Sequence, residues 1–151
     1  MKDLHVLLVN PYEFGNIQVG NTLNLAGFDD GRVHYAIHLQ EALTKLFELI
    51  PRRNVSVVTD VVDKSGWVRN EAGIYVPNEY RKERRMPHTE GLIKEALDFG
   101  FPVTLFTNEL YELLSPNIRE MIQAGKIYYE RKLPEHGDPD VFIERVLRYP
   151  K

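Results

Sequence analysis

The chain contains no cysteine among its 151 residues. Disulfide bonds, thiolate nucleophiles, cysteine-ligated zinc and iron–sulfur clusters are therefore excluded. The lack of a disulfide framework also favours a cytoplasmic protein, because disulfide-rich scaffolds belong to oxidising compartments.

Long apolar runs and an excess of cations are missing too. The apolar run Leu4–Val9 is far shorter than the ~20 residues that a membrane-spanning helix needs, so no membrane partner is expected. Lys and Arg number 19 against 22 Asp and Glu, which gives a net charge of −3. We therefore expect no broad basic face for duplex nucleic acid.

The remaining composition is that of an ordinary globular protein, with 43% apolar and 27% charged residues. The length predicts a single domain over residues 1–151, long enough to bury one proper core. Apolar and β-branched runs predict four strands of the main sheet: Leu4–Val9, Val55–Val62, Pro102–Asn108 and Lys126–Arg131, the last at an edge because of its charges.

Helices are predicted between these strands. Their apolar stripes and end signals give a helix over Val33–Ile50, one from Pro87 to Gly100, one over Glu109–Ala124 that restarts at Ser115–Pro116, and one from Asp138. Two short runs around a Gly-containing turn, Trp67–Arg69 and Ile74–Pro77, predict a β-hairpin. This hairpin and the basic run after it form an insertion over about residues 65–86.

Alternation of strands and helices predicts a three-layer, Rossmann-like α/β fold with helices on both faces. We expect four to five mostly parallel strands with right-handed connections, plus the small hairpin insertion. The stretch Tyr12–Arg32 is rich in Gly and Asn and is predicted to be a long loop. Long ordered loops on a rigid sheet usually carry function.

Polar residues directly follow the predicted strands. They are Asn10, Pro11 and Tyr12 after the first strand, Thr59, Asp60, Asp63 and Lys64 at the second, Thr107, Asn108 and Glu109 after the third, and Glu130, Arg131 and Lys132 at the fourth. Ligands of open α/β sheets bind at the carboxyl ends of the strands. These residues therefore mark the candidate site, although any strand must end in polar residues where it meets water.

Carboxylates near this edge give candidates for chemistry. Asp60 and Asp63 are predicted to hold a metal or act as the base, and Asp29 and Asp30 are the other carboxylates expected nearest this edge. The cofactor is unknown, with Mg²⁺ as the candidate. Asp29 and Asp30 are equally well explained as charges at the start of the next helix.

His34, His38 and Glu41 would share one face of the predicted first helix. Histidines four residues apart on a helix can chelate zinc, and His34 could act as a general base near the sheet edge. The alternative is a solvated outer helix face.

The densest basic run, residues 80–85, contains Arg84 and Arg85 next to aromatic residues of the hairpin. Arginine binds phosphate in a bidentate manner, and aromatic rings stack on bases. A solvated connector is the alternative interpretation.

One local resemblance concerns Asp30–Tyr35 with Leu39, Ala42 and Leu43, followed by Val55–Thr59. This stretch resembles the opening unit of two-domain glycosyltransferases, in which a Gly-rich loop precedes a helix and a strand that ends in Thr. The same spacing is common to βαβ units, so no function is taken from it.

The sequence contains no motif that fixes a reaction. The favoured hypothesis is a hydrolase or transferase that handles a nucleotide or another small phosphorylated molecule at the carboxyl edge of the sheet. Its ligand would contact Asn10, Tyr12, Asn16, Asn21, Asp30, Asn108, Arg84 and Arg85. The alternative is a non-catalytic module that senses a ligand or associates with itself as a homo-oligomer.

Overall fold

The computed structural model describes residues 3–52, 54–61, 67–69, 75–77 and 87–149. Within these ranges the helices and strands follow one another as β1 (His5–Val9), α1 (Glu13–Leu25), β2 (Val33–Ala36), α2 (Leu39–Leu49), β3 (Val55–Thr59), β4 (Trp67–Arg69), β5 (Tyr75–Pro77), α3 (Pro87–Asp98), β6 (Val103–Thr107), α4 (Pro116–Gln123), β7 (Tyr128–Arg131) and α5 (Pro139–Arg145).

The main sheet has five strands in the order β2-β1-β3-β6-β7, and all the neighbouring pairs are parallel. β1 is internal: Val9 is level with Ala36 of β2 on one side and with Thr59 of β3 on the other. The predicted α/β fold with a mostly parallel sheet is confirmed, and the number of main strands is five. β7 lies at an edge, as its charges predict.

Two hydrophobic cores lie on opposite faces of the sheet. One contains Ala42, Leu46 and Leu49 of α2 together with buried residues of α3 and α4. The other contains Leu23 of α1 and Phe142 of α5. Alternate residues of each strand serve the two cores, because successive side chains of a strand point to opposite faces. The result is three layers, with α2, α3 and α4 on one face and α1 and α5 on the other.

Local end signals position the last two helices as the sequence predicts. The Ser115 hydroxyl accepts a hydrogen bond from the Ile118 N–H at the start of α4. A carboxylate oxygen of Asp138 does the same for the N–H groups of Asp140 and Val141 at the start of α5. Each cap is followed by proline at the first helical position, where no N–H is needed.

The predicted loop over Tyr12–Arg32 is wrong, because most of it forms helix α1. The apolar residues of α1 do not fall on one face: Leu23 is buried, whereas Phe14 and Leu25 are exposed. The sequence therefore shows no amphipathic period that would indicate the helix. The Gly and Asn residues of this stretch also favour the prediction of a loop.

Two glycines of α1 serve close packing. A Cβ atom at Gly15 would collide with the Asn10 amide, and one at Gly20 would collide with the Tyr35 ring. The glycines let α1 lie close to the end of β1 and to β2. Glycine is needed at these positions because α1 packs closely against its neighbours. In a single sequence, however, such glycines look the same as the glycines of a loop.

The predicted helix over Val33–Ile50 is wrong in its first part, where Val33–Ala36 forms strand β2. α2 begins at Leu39, and the His38 ring accepts a hydrogen bond from the Glu41 N–H. His34, His38 and Glu41 therefore do not share a helix face. The short strand happens to continue the apolar spacing of the helix that follows, which explains the error. The loop-and-helix opening on which the glycosyltransferase resemblance rests is absent for the same reason.

The predicted helix over Glu109–Ala124 is wrong in its first part, where Tyr111–Leu113 forms a 3₁₀ turn and the α-helix begins only at Pro116. Proline disfavours a helical conformation at the residue before it, so no helix runs through Ser115.

β3 ends at Thr59 rather than Val62. β4 and β5 pair in antiparallel fashion, with Val68 level with Val76, which confirms the predicted hairpin strands. The hairpin turn and the basic run lie outside the described residues. No helix within the described part of the chain is long and apolar enough to cross a bilayer.

His34 instead pairs with His5 near the amino end of the sheet. His5 Nδ1 and His34 Nε2 are 3.0 Å apart, and the two rings stack with their centroids at 5.3 Å. Burial is the main cause that lowers the pKa of both histidines, and the positive charge of Arg52 adds to it. Both imidazoles therefore favour the neutral form in the folded chain.

We expect replacement of Gly20 by alanine to destabilise the fold. The clash of a Cβ with Tyr35 should outweigh the gain in helix propensity and leave a net loss of about 1–2 kcal/mol in the free energy of unfolding. Gly91→Ala is the matched control: Gly91 also lies inside a helix, and a Cβ there meets no atom within 4 Å. It should gain about 0.5–1 kcal/mol. Urea unfolding measures both, and equal effects of the two substitutions would contradict the packing role of Gly20.

We also expect acid to weaken the fold through His5 and His34. Because the pKa of each is lower in the folded than in the unfolded chain, the unfolded chain binds more protons as the pH falls below about 6.5. The contribution to stability is complete above that pH and is lost progressively below it. In urea unfolding at about pH 7.5 and about pH 5.5, His5→Gln/His34→Gln should lose less stability than the parent chain.

His38→Asn is the control for this pH effect, because His38 is exposed and asparagine keeps a capping acceptor. It should retain the pH dependence of the parent chain. A histidine-pair variant that loses as much stability on acidification as the parent would refute the assignment.

Candidate functional site

The candidate site lies where β1 and β3 end. β2 lies on one side of β1 and β3 on the other, so the chain connections leave this point in opposite directions. α1 follows β1 onto one face, while the helices that follow β2 and β3 cover the other face. Open α/β sheets have a crevice at such a switch point, at the carboxyl ends of the strands. The Asp60 N–H donates to the Val9 carbonyl at 2.7 Å, which holds the two strand ends together.

An ion pair spans the carboxyl edge of the sheet. Lys132 follows β7, and its Nζ lies 2.6 Å from Asp60 Oδ2 after β3. The other oxygen, Asp60 Oδ1, accepts a hydrogen bond from the Val61 N–H at 2.7 Å. Both carboxylate oxygens of Asp60 therefore already have partners. Asp60 lies at the predicted edge, but it is engaged rather than poised as a free base.

Asn10 and Asn16 are at this edge as predicted, yet both are buried and used by the backbone. Asn10 Oδ1 accepts from the Tyr12 N–H at 2.9 Å, and Asn16 Nδ2 donates to the Ala36 carbonyl at 3.0 Å. These bonds fix the connection from β1 to α1 and tie α1 to the end of β2. The side-chain amides of Asn10 and Asn16 therefore hold the backbone that forms this edge of the site.

Three other predicted ligand contacts lie at or near the carboxyl edge with exposed side chains. Tyr12 precedes α1 and is 72% exposed. Asn108 directly follows β6, and Asn21 lies in the second half of α1. Of these three, Asn21 lines a cavity, which is described below.

Asp30 lies at the other end of the sheet. It belongs to a short 3₁₀ turn that precedes β2, and in a parallel sheet the residue before a strand is at the amino edge. Asp29, which pairs with Arg32 at 3.7 Å, is there as well. Asp29 and Asp30 are thus separated from Asp60 by the length of the sheet and cannot share a metal ion with it.

The other predicted contacts cannot be placed, because Asp63, Arg84 and Arg85 lie outside the described residues. Among the residues that are described, no group of three or more His, Asp or Glu side chains is arranged to hold a metal ion. His34, the third catalytic candidate, belongs to the histidine pair near the amino end and not to the carboxyl edge.

A cleft of about 410 Å³ opens at the carboxyl edge between α1 and the segment after β7. Val19, Phe106 and Leu133 give it apolar walls, and Gln18, Asn21 and Thr22 present polar groups from α1. Lys132 also lines it, with Nζ 5.7 Å from the centre of the Phe106 ring. The remaining lining residues are Gly15, Pro134, His136 and Gly137.

His136 stiffens the wall of this cleft. His136 Nδ1 lies 3.0 Å from the Leu133 backbone nitrogen and 3.2 Å from the Leu133 carbonyl oxygen, and Nε2 lies 3.1 Å from Glu130 Oε1. The His136 ring also contacts Phe106 edge to face at 5.1 Å. With both nitrogens engaged and 5% of its surface exposed, His136 holds the segment after β7 in place.

The sequence pattern pointed to Lys132 only as one of the polar residues after a strand, and it did not point to Gln18, Thr22 or His136. Gln18 and Thr22 are not predicted as site residues because the sequence pattern does not predict helix α1. A helical projection of residues 13–25 would have placed Gln18, Asn21 and Thr22 near one another. Nothing in the sequence indicates the role of His136, since its partners are set by the fold.

No family model matches the chain, and no curated protein is similar enough to count as a relative. Solved structures resemble it, among them the following two. The chemotaxis protein CheY4 of Vibrio cholerae is 18% identical with a TM-score of 0.54, over 95% of this chain and 98% of that one. A de novo designed protein of the Rossmann 2x3 fold is 17% identical with a TM-score of 0.52, over 93% of this chain and 86% of the design. The chain therefore has a three-layer, Rossmann-like α/β fold, with the strand order also found in flavodoxin.

Proposed function

We propose that the chain is a ligand-sensing module that binds a small phosphorylated molecule in the cleft at the carboxyl edge without turning it over. The observation that carries the proposal is Lys132, a cation that lines the cleft at the end of an edge strand. Lysine is a compact, strongly charged partner for phosphate. The cleft volume of about 410 Å³ suits a small molecule.

The other lining residues fit a ligand with a polar head and an apolar body. Phe106, Val19 and Leu133 offer apolar surface, while Gln18, Asn21 and Thr22 provide neutral donors and acceptors on one side of α1. A small number of polar groups in a mainly apolar cleft is the usual composition of a small-molecule site. Phosphate near Lys132 would leave the rest of the ligand against Phe106.

Binding without turnover is favoured over the hydrolase or transferase because the described groups are committed elsewhere. Lys132 and His136 are the titratable residues among those that line the cleft, and His136 uses both ring nitrogens for structural contacts. Asp60 is not among the residues that line the cleft. General acid–base catalysis needs a group within reach of the ligand that can still take or give a proton.

A sensing role is compatible with a chemotaxis protein among the structural neighbours, although that likeness concerns the fold. The requirement for Mg²⁺ and the formation of homo-oligomers stay predictions, as do the roles of Asp63, Arg84 and Arg85.

We expect Lys132→Gln to weaken binding of phosphorylated ligands by at least about tenfold, because a charge-assisted hydrogen bond contributes about 1.5–3 kcal/mol. The probes are phenyl phosphate, AMP and glucose 6-phosphate, followed by amide chemical shifts of the ¹⁵N-labelled chain and by thermal shift. A probe at a hundred times its dissociation constant should stabilise the parent chain by ~2.7 kcal/mol. The shifts should concentrate on Gln18, Asn21 and Thr22.

Lys126→Gln is the matched control, because Lys126 lines a separate groove between α3 and α4. It should bind the probes as the parent does. Equal weakening by both variants, or no shift in the cleft with any probe, would refute the site. Release of inorganic phosphate from a probe by the parent chain but not by Asp60→Asn would contradict the non-catalytic module and support a hydrolase.

A further inference from the structure

Asp60 and an anion bound in the cleft would compete for the ammonium group of Lys132. Its Nζ lies 2.6 Å from Asp60 Oδ2, and its side chain also lines the cleft. The Lys132 side chain is 23% exposed and that of Asp60 14%, so the pair is shielded from water without being sealed. The ammonium has three N–H donors, one of which faces Asp60 Oδ2, and a ligand anion in the cleft can draw the ammonium away from the carboxylate.

We infer that Asp60 is a built-in competitor for the ligand's anionic group, an inference that rests on the proposed function. Asp60 holds Lys132 when the cleft is empty and releases it to an anion of higher charge. The affinity of any ligand is then reduced by the fraction of molecules in which Lys132 is turned toward the cleft. Asp60 keeps a partner after the exchange, since the Val61 N–H stays bonded to Oδ1.

The competition sets the class of ligand. A carboxylate ligand offers Lys132 the same single charge that Asp60 already provides, and it must also lose its translational freedom on binding. A phosphate monoester near pH 8 carries two charges, because its second pKa is about 6. Its attraction to the ammonium is about twice as large at the same distance. The site should therefore prefer phosphate monoesters to monocarboxylates, and Asp60 sets the attraction to Lys132 that any ligand anion must exceed.

The test compares phenyl phosphate with benzoate, which share a ring and differ in charge, at about pH 8. Dissociation constants come from amide chemical shifts of Gln18, Asn21 and Thr22. Asp60→Asn should bind phenyl phosphate more tightly by on the order of tenfold. It should bind benzoate more tightly by a similar factor, because loss of the competitor relieves every anion equally. Asparagine can still accept from the Val61 N–H, and circular dichroism checks that the variant folds.

Asp98→Asn is the control for the change in net charge, because Asp98 lines the separate groove with Lys126. It should leave both affinities as in the parent chain. Phosphate binding that is unchanged or weaker in Asp60→Asn, while Lys132→Gln still weakens it, would overturn the competition and leave the binding site standing. Binding that survives in Asp60→Asn/Lys132→Gln would overturn both, because Lys132 would then not be the anchor.

The parent chain also gives a direct readout of the exchange. On titration with phenyl phosphate, the Asp60 side-chain carboxyl ¹³C signal should move together with the cleft amides, since the carboxylate loses the ammonium as the ligand binds. Cleft amides that shift while the Asp60 carboxyl signal stays fixed would show that the two anions do not compete.

Discussion

The parallel pairing of β1 with β2 on one side and β3 on the other is the constraint on which the rest of the structure depends. It makes β1 an internal strand, and its side chains Leu7 and Leu8 are buried in the cores on opposite faces of the sheet. It also sends α1 to one face and α2 to the other, which opens the crevice at the carboxyl ends. The tight contacts of α1 follow from the same pairing, since the helix must cross the end of β1 and lie against β2. Gly15 and Gly20 allow that approach.

The carboxyl edge carries polar groups that the fold has used in different ways. Asn10 and Asn16 complete backbone hydrogen bonds and give the edge its shape. His136 fixes the segment after β7 through Glu130 and Leu133. Lys132 differs from these because it both pairs with Asp60 and lines the cleft, and we propose that a ligand anion takes the place of Asp60. A partly exposed ion pair contributes modestly to stability, so such an exchange would cost the fold little.

The sequence predicted much of the architecture and little of the site. Buried strands such as Val55–Thr59 and capped helices such as the one after Asp138 are announced by local patterns that the fold obeys. α1 escaped because its apolar residues are spread around the helix and its glycines serve packing. β2 escaped because four residues are too few to establish a period. The site depends on α1 and on a loop from the far end of the chain, so its composition follows from tertiary contacts that no local pattern contains.

The cleft has a further consequence for how the protein folds. One wall comes from residues 15–22 and the other from residues 132–137, so most of the sequence lies between the two walls. β1, β2 and β3 precede β6 and β7 in the sequence, and β7 joins the sheet only through β6. The cleft therefore exists only once the whole sheet has assembled. A molecule bound there would hold together two parts of the chain that are distant in sequence, and its binding energy would oppose unfolding of the entire sheet rather than of one edge.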